Sequence, residues 1–222
     1  MAKRIAVAGA LLALMMGGAL ADALADGFSA FGRGDHAAAL AQWQPLAEAG
    51  DARAQFNLGV LHDQGLGVTA DRAAAVEWYR KAAEQGDARA QFNLGLIFAT
   101  GDGVAQDGAE AARWYAMAAE QGDVLARFNL AILYEEGSIV PQDHAEAARL
   151  YEAAATENKF HRAMYALGNL YSQGLGVERD SSRAAELFGE ANEAEMMTES
   201  SSGCTPRGTV VREECRRTTP QG

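Results

Sequence analysis

Apolar and small residues return along this chain at a fixed step. The segment AQFNLGVLHDQGLGV, beginning at Ala54, comes back as AQFNLGLIFATGDGV at Ala90 and as ARFNLAILYEEGSIV at Ala126. Phe56, Phe92 and Phe128 keep the same step of 36 residues, as do Tyr79, Tyr115 and Tyr151, and Trp78 and Trp114. A fourth copy, MYALGNLYSQGLGV from Met164, fits at a step of 37, from Leu130 to Leu167 and from Asp143 to Asp180. One residue is therefore inserted between the third and fourth units. Self-similarity at this period is the mark of a repeat array, in which each unit is one supersecondary motif that buries its apolar face only against its neighbours.

Within each unit the pattern predicts two helices. The first runs from about Ala52 to Gln64 and stops at Gly65, and the Gly65-Leu66-Gly67-Val68 turn supplies positions that tolerate positive φ. Asp71 is placed to N-cap the second helix, which carries Ala74, Ala75, Trp78, Tyr79, Ala82 and Ala83. Asp107 with Glu110, and Asp143 with Glu146, have capping-box spacing. Gly50-Asp51, Gly86-Asp87 and Gly122-Asp123 end one helix and cap the next. The insertion removes this pair from the last junction, where Asn158-Lys159-Phe160 stands, and Asn158 is the expected left-handed substitute. Gly59, Gly95, Ala131 and Gly168 recur at one position of the first helix; since a mid-helix Gly costs about 1 kcal/mol relative to Ala, the recurrence predicts close backbone approach.

These features divide the chain into an N-terminal segment 1–25, a divergent capping unit 26–51, repeats at 52–87, 88–123, 124–160 and 161–195, and a tail 196–222. The tail is rich in Ser, Thr, Gly and Arg, lacks a helical period, and is read as flexible. The N-terminal segment has the form of an export signal: Lys3 and Arg4, an apolar run from Ile5 to Ala21, then Ala19-Leu20-Ala21 and Ala23-Leu24-Ala25, each followed by Asp. Cleavage is expected after Ala25, with Ala21 as the alternative, giving a periplasmic or secreted protein. An oxidising compartment favours a disulfide between Cys204 and Cys215, the two cysteines of the chain, both in the tail.

The tract Ala54 to Asp87 closely resembles the Sel-one-like repeat, a variant of the tetratricopeptide repeat. The resemblance covers about residues 52 to 195, and AQFNLG, GLGV and EWYRKAAEQGD carry it, in order and at fixed spacing. It implies an all-α, right-handed superhelical solenoid of helix-turn-helix repeats that acts as a protein-binding scaffold. Ile139 in place of the second turn glycine, and Leu150 and Leu187 in place of Trp, depart from the pattern. Some secreted, cysteine-rich members of this family bind or slowly hydrolyse β-lactams, and weak binding or hydrolysis of β-lactams or cell-wall fragments is the alternative function. In those relatives cysteines staple each repeat, whereas residues 26 to 203 of this chain contain none.

Charge and candidate chemistry narrow the function further. The chain has 222 residues, 49% hydrophobic and 22% charged, with a net charge of −11. Residues 1 to 25 hold Lys3, Arg4 and Asp22, so their removal takes the net charge to −12. Such a balance argues against nucleic acid and against adsorption to anionic membranes. Serine β-lactamase chemistry needs Ser-x-x-Lys, yet Trp78 and Thr156 precede Lys81 and Lys159 by three. His36, His62, His144 and His161 lack metal-ligand spacing. The Gly-x-Gly turns at Gly65, Gly101 and Gly174 follow helices, whereas a phosphate loop follows a strand. Trp78, Trp114 and the tyrosines at helical spacing read as core. No catalytic residue, metal or cofactor is expected.

What remains is a surface. On the first helix, Arg53, Asn57, Val60 and Gln64 gather on the side away from the apolar arc. The equivalent stripes are Arg89, Asn93, Leu96 and Thr100; Leu125, Asn129, Ile132 and Glu136; and Arg162, Ala166, Asn169 and Gln173. They are the expected site for another protein or an extended peptide. Asn57, Asn93 and Asn129 either form an amide ladder for a peptide backbone or satisfy groups between neighbouring helices. Gln55 falls inside the buried arc, where the pattern gives it no role.

Overall fold

The computed structural model describes residues 22–201. Among them every regular element is an α-helix. Residues 22–32 form α1, followed by α2 (His36–Glu48), α3 (Ala52–Gln64), α4 (Arg72–Glu84), α5 (Ala88–Thr100), α6 (Gly108–Glu120), α7 (Val124–Glu136), α8 (His144–Asn158), α9 (His161–Gln173) and α10 (Ser181–Ser201). Two compact bodies result, one of residues up to Asn129 and one from Leu130 onward. Cys204 and Cys215, and residues 1–21, lie outside the described residues.

Aspartate is the punctuation of this fold. The side chain of Asp51 accepts the amide of Ala54 at 2.9 Å, that of Asp71 accepts Ala74 at 2.9 Å, and that of Asp123 accepts Ala126 at 2.8 Å. Asp35, Asp87, Asp107, Asp143 and Asp180 cap their helices in the same way. Each such cap contributes about 1 kcal/mol by satisfying a first-turn N–H. The capping boxes do not close as their spacing suggests. Glu110 takes the indole N–H of Trp114 at 2.9 Å, and Glu146 holds Arg149, so both carboxylates are engaged along their own helices.

Glycine works at two kinds of place. Gly65, Gly101 and Gly174 end the first helices with φ of 66°, 69° and 73°, a region where a side chain is strained. Inside the helices, a Cβ on Gly59 or Gly95 would lie 2.5 Å from the ring of Tyr79 or Tyr115, and one on Gly168 would lie 2.6 Å from Phe188. The recurring mid-helix Gly thus admits an aromatic ring of the paired second helix.

Two expectations are corrected. At the insertion, α8 runs on to Asn158, and Lys159 takes the left-handed conformation with φ 49°. The added residue lengthens the helix and pushes the reversal one position downstream of Asn158. Phe160 then precedes α9 with no side-chain cap. The tail begins later than residue 196, because α10 continues to Ser201 through Glu and Met residues that favour helix.

The core of the first body lies between helices of successive units. Leu24, Ala30, Trp43, Leu46, Leu58 and Leu61 form one cluster, and Tyr79, Ala82, Leu94, Ile97 and Trp114 belong to another. Trp78 departs from expectation. It is only partly buried, packing on the first cluster with the Lys81 ammonium 3.9 Å from its ring centre.

Candidate functional site

Three features organise the first-helix face: asparagines turned inward, a glutamine ladder, and an outward row of apolar and basic side chains. Asn93 donates to the phenol of Tyr79, and Asn129 Nδ2 lies 3.4 Å from Tyr115 Oη. Both tyrosines are buried, which pushes their phenols up to about 12; the asparagine hydrogen bonds oppose that rise. Asn57 is itself 6% exposed, and its Nδ2 has no hydrogen-bond partner. The residue in register with Tyr79 is there Trp43, whose indole N–H donates to the Leu24 carbonyl. Of the two roles open to these amides, Asn93 and Asn129 take up the one between neighbouring helices. In the second body Ala166 stands in the asparagine register, and Tyr151 instead donates to Glu135 Oε2 at 2.6 Å.

Gln55 now has a role. Its Nε2 donates to the Ala47 carbonyl at 3.0 Å, and its Oε1 accepts Gln85 Nε2 at 2.7 Å. One repeat later, Gln91 donates to the Ala83 carbonyl at 3.0 Å and accepts from Gln121 at 2.7 Å. In the third unit Arg127 reaches the Ala119 carbonyl at 3.0 Å. The ladder satisfies carbonyls at second-helix ends, where intrahelical partners have run out.

In the fourth unit the ladder positions carry Met164 and Ala194. A cavity of about 370 Å³ opens there, floored by Ala155, Met164, Leu167 and Leu187, with Lys159 and Glu190 among its rim residues. Ala194 is shorter than Gln and Met164 carries no amide, so the space that a Gln pair occupies in the first two units is not filled in the same way. Nothing in the periodicity marked this cavity, although the loss of both glutamines from the repeat was visible.

On the outward side of the first body, Arg53, Gln64, Arg89, Leu96 and Thr100 are exposed and Val60 is half-buried. Leu96 keeps 44% of its surface accessible and Leu125 keeps 48%. Arg89 is not free: it pairs with Asp87 at 2.6 Å and its guanidinium carbon lies 4.1 Å from the Phe56 ring centre. The Thr100 hydroxyl donates back to the Leu96 carbonyl at 2.9 Å. In the second body Glu136, Arg162, Asn169 and Gln173 are exposed and Ile132 is half-buried. Among the described residues no three His, Cys, Asp or Glu side chains are grouped to hold a metal, and no helix is long and apolar enough to cross a membrane.

The sequence pattern described as the Sel1 repeat matches residues 52–87, 88–123, 124–159 and 161–195. No curated protein matches the chain. Among solved structures, a protective antigen present in uropathogenic Escherichia coli strains and displaying an SLR fold is 36% identical, with a TM-score of 0.68 over 72% of this chain and 34% of its own. The chain thus spans about a third of that antigen. A Sel1 repeat protein from Oxalobacter formigenes is 32% identical, with a TM-score of 0.67 over 83% of this chain and 79% of its own. A sel1 repeat protein from Klebsiella pneumoniae, at 21% identity and a TM-score of 0.51 over 82% of this chain and 90% of its own, shares the fold.

Proposed function

We propose, from the premise that this chain belongs to the Sel1 repeat family, that it is a non-catalytic adaptor of the bacterial cell envelope that binds another protein or an extended peptide. Sel1 repeat proteins generally act as protein-interaction scaffolds. The observation that carries the reading here is the exposure of Leu96 and Leu125 on first helices whose other apolar residues are buried or half-buried. Large exposed aliphatics grouped with Arg and polar side chains are a usual composition for a contact surface.

The face of the first body is built from Arg53, Val60, Gln64, Arg89, Leu96 and Thr100. Val60 and Leu96 supply apolar contact at the same register of successive repeats, and Arg53 favours a carboxylate-bearing partner. Behind this face Asn93 is hydrogen-bonded to the Tyr79 phenol of the preceding unit. Export is supported by the apolar run ending at Ala21 and the two small-x-small sites.

The reading is tested by replacing Leu96 and Leu125 together with Asp in the full chain, and comparing chemically cross-linked partners from the native envelope with those of the wild type. A specific partner is expected to fall at least about 10-fold, the factor equivalent to 1.4 kcal/mol, with the circular dichroism melt unchanged. Undiminished recovery would contradict the reading.

A further inference from the structure

We infer that the cavity among α8, α9 and α10 is a binding site for a small organic cation, a molecule with an apolar body that ends in an ammonium or guanidinium group. The site is separate from the first-helix face and stands independently of it.

The repeat itself shows what such a slot holds. Gln55 Nε2 donates to the Ala47 carbonyl, Gln91 Nε2 to that of Ala83 and Arg127 Nη2 to that of Ala119, each at 3.0 Å. In three successive units an N–H donor on a flexible stem thus reaches from the first helix to the end of the preceding second helix. The third donor is a half-buried guanidinium, a charged head carried on an aliphatic stem. The fourth position of this series is Met164, and the residue in register with Ala47, Ala83 and Ala119 is Ala155. Both line the cavity of about 370 Å³. Methionine has no N–H to offer there, so the donor that the chain supplies three times is missing at the fourth place.

The walls suit the rest of such a molecule. Ala155, Met164, Leu167 and Leu187 are buried and form an apolar floor. The exposed side chains of Glu152, Glu190 and Glu193 stand at the rim. Arg183 is also there but is held by Glu186 at 3.0 Å, which leaves Lys159 against three carboxylates. That balance favours a cation over an anion, and the net charge of −11 draws cations towards the chain. The volume falls within the range of small-molecule pockets, roughly 300–1,000 Å³, and the floor offers the ligand body a surface away from water.

The test is calorimetric titration of the full chain with phenylbutylamine, and with phenylbutanol and phenylbutyrate as neutral and anionic molecules of similar shape. The amine is expected to bind at least about 10-fold tighter than the alcohol, a factor within reach of one charge pair near a protein surface, and the acid weakest of the three. Equal affinities for amine and alcohol, or no binding of the amine, would overturn the inference. Met164→Gln with Ala194→Gln rebuilds in this slot the glutamine pair of the first two units. It is expected to abolish amine binding without lowering Tm, and undiminished binding would place the amine elsewhere and overturn the site. Glu190→Gln with Glu193→Gln changes only the exposed rim. It is expected to bring the amine down to the affinity of the alcohol, whereas an unchanged preference for the amine would contradict the proposed recognition of a cation.

Discussion

Gln85 Nε2 donates to Gln55 Oε1 at 2.7 Å, joining residues 30 positions apart, and Gln55 passes the chain of hydrogen bonds on to the Ala47 carbonyl. The arrangement repeats through Gln121 and Gln91 to Ala83. Gln91 is 1% exposed, so its amide has been wholly removed from water. Replacing it with Ala leaves the Ala83 carbonyl and the Gln121 amide without these partners. Gln121 is exposed and its amide can turn to water, so a loss of about 1–3 kcal/mol is expected by chemical denaturation, the cost of leaving the buried Ala83 carbonyl without its side-chain donor. The double replacement Gln91→Met with Gln121→Ala imitates the fourth unit and removes both partners. It is expected to cost less than the sum of its single changes, a coupling that a double-mutant cycle measures directly.

The glycines should separate by sign. Gly95→Ala gains about 1 kcal/mol of helix propensity, but its Cβ meets the Tyr115 ring at 2.5 Å. Overpacking of this kind costs about 1–3 kcal/mol, so a net loss in Tm is expected. Gly189 lies within α10 with nothing within 4 Å of its would-be Cβ. Gly189→Ala should raise Tm, and a rise at both positions would contradict the close-approach account of Gly95.

Trp114 and Trp78 occupy the same register but differ in burial. Trp114 is 1% exposed and anchored through its N–H to Glu110, whereas Trp78 is partly exposed beneath Lys81. Trp114→Ala is expected to cost about 3–5 kcal/mol, and Trp78→Ala clearly less, as read from the shift in denaturation midpoint.

Much of this fold was legible from the repeat. The Asp caps and the αL glycines Gly65, Gly101 and Gly174 depend on residues close in sequence, so a 36-residue pattern exposes them. The role of Gln55 was hidden because its partners, Ala47 and Gln85, come together only when neighbouring units stack. The same holds for Asn93 and Asn129. Their helical-wheel position points away from the main apolar arc, yet the preceding unit brings Tyr79 and Tyr115 to meet them. Lys159 was missed because a helix absorbs an insertion by extending its last turn, which moves the reversal beyond the residue best suited to it.

That reversal makes a prediction of its own. Lys159 at φ 49° bears a left-handed conformation that costs a residue with a side chain about 1–2 kcal/mol. Lys159→Gly removes this cost and gives back part of the gain through the freer unfolded chain. A net stabilisation of about 0.5–1 kcal/mol is expected in thermal melts. No gain would mean that the Lys159 side chain contributes as much as the strain removes.

Alkaline pH should unfold the protein through its tyrosines. Burial holds the Tyr79 and Tyr115 phenols at about 12, above their ordinary value of 10.0, and burial together with Glu135 raises Tyr151 as well. A raised phenol binds its proton more tightly in the folded state than in the unfolded one. The stabilisation is therefore complete below pH 10 and is lost as pH rises from about 10 to about 12. Denaturant midpoints measured across that window should fall, and Tyr79→Phe should flatten the fall. A midpoint independent of pH there would contradict the burial of these phenols.

The central claim is that the first-helix face, with its asparagines turned inward and its aliphatics outward, receives a protein partner. It is tested most directly by placing a photo-crosslinking residue at Val60 or Leu96, and for comparison at the exposed second-helix positions Glu77 or Arg113, in chains expressed in the native cell. The account predicts one common adduct from positions 60 and 96 and its absence from 77 and 113. Equal adducts from all four positions, or from the second-helix positions alone, would contradict it.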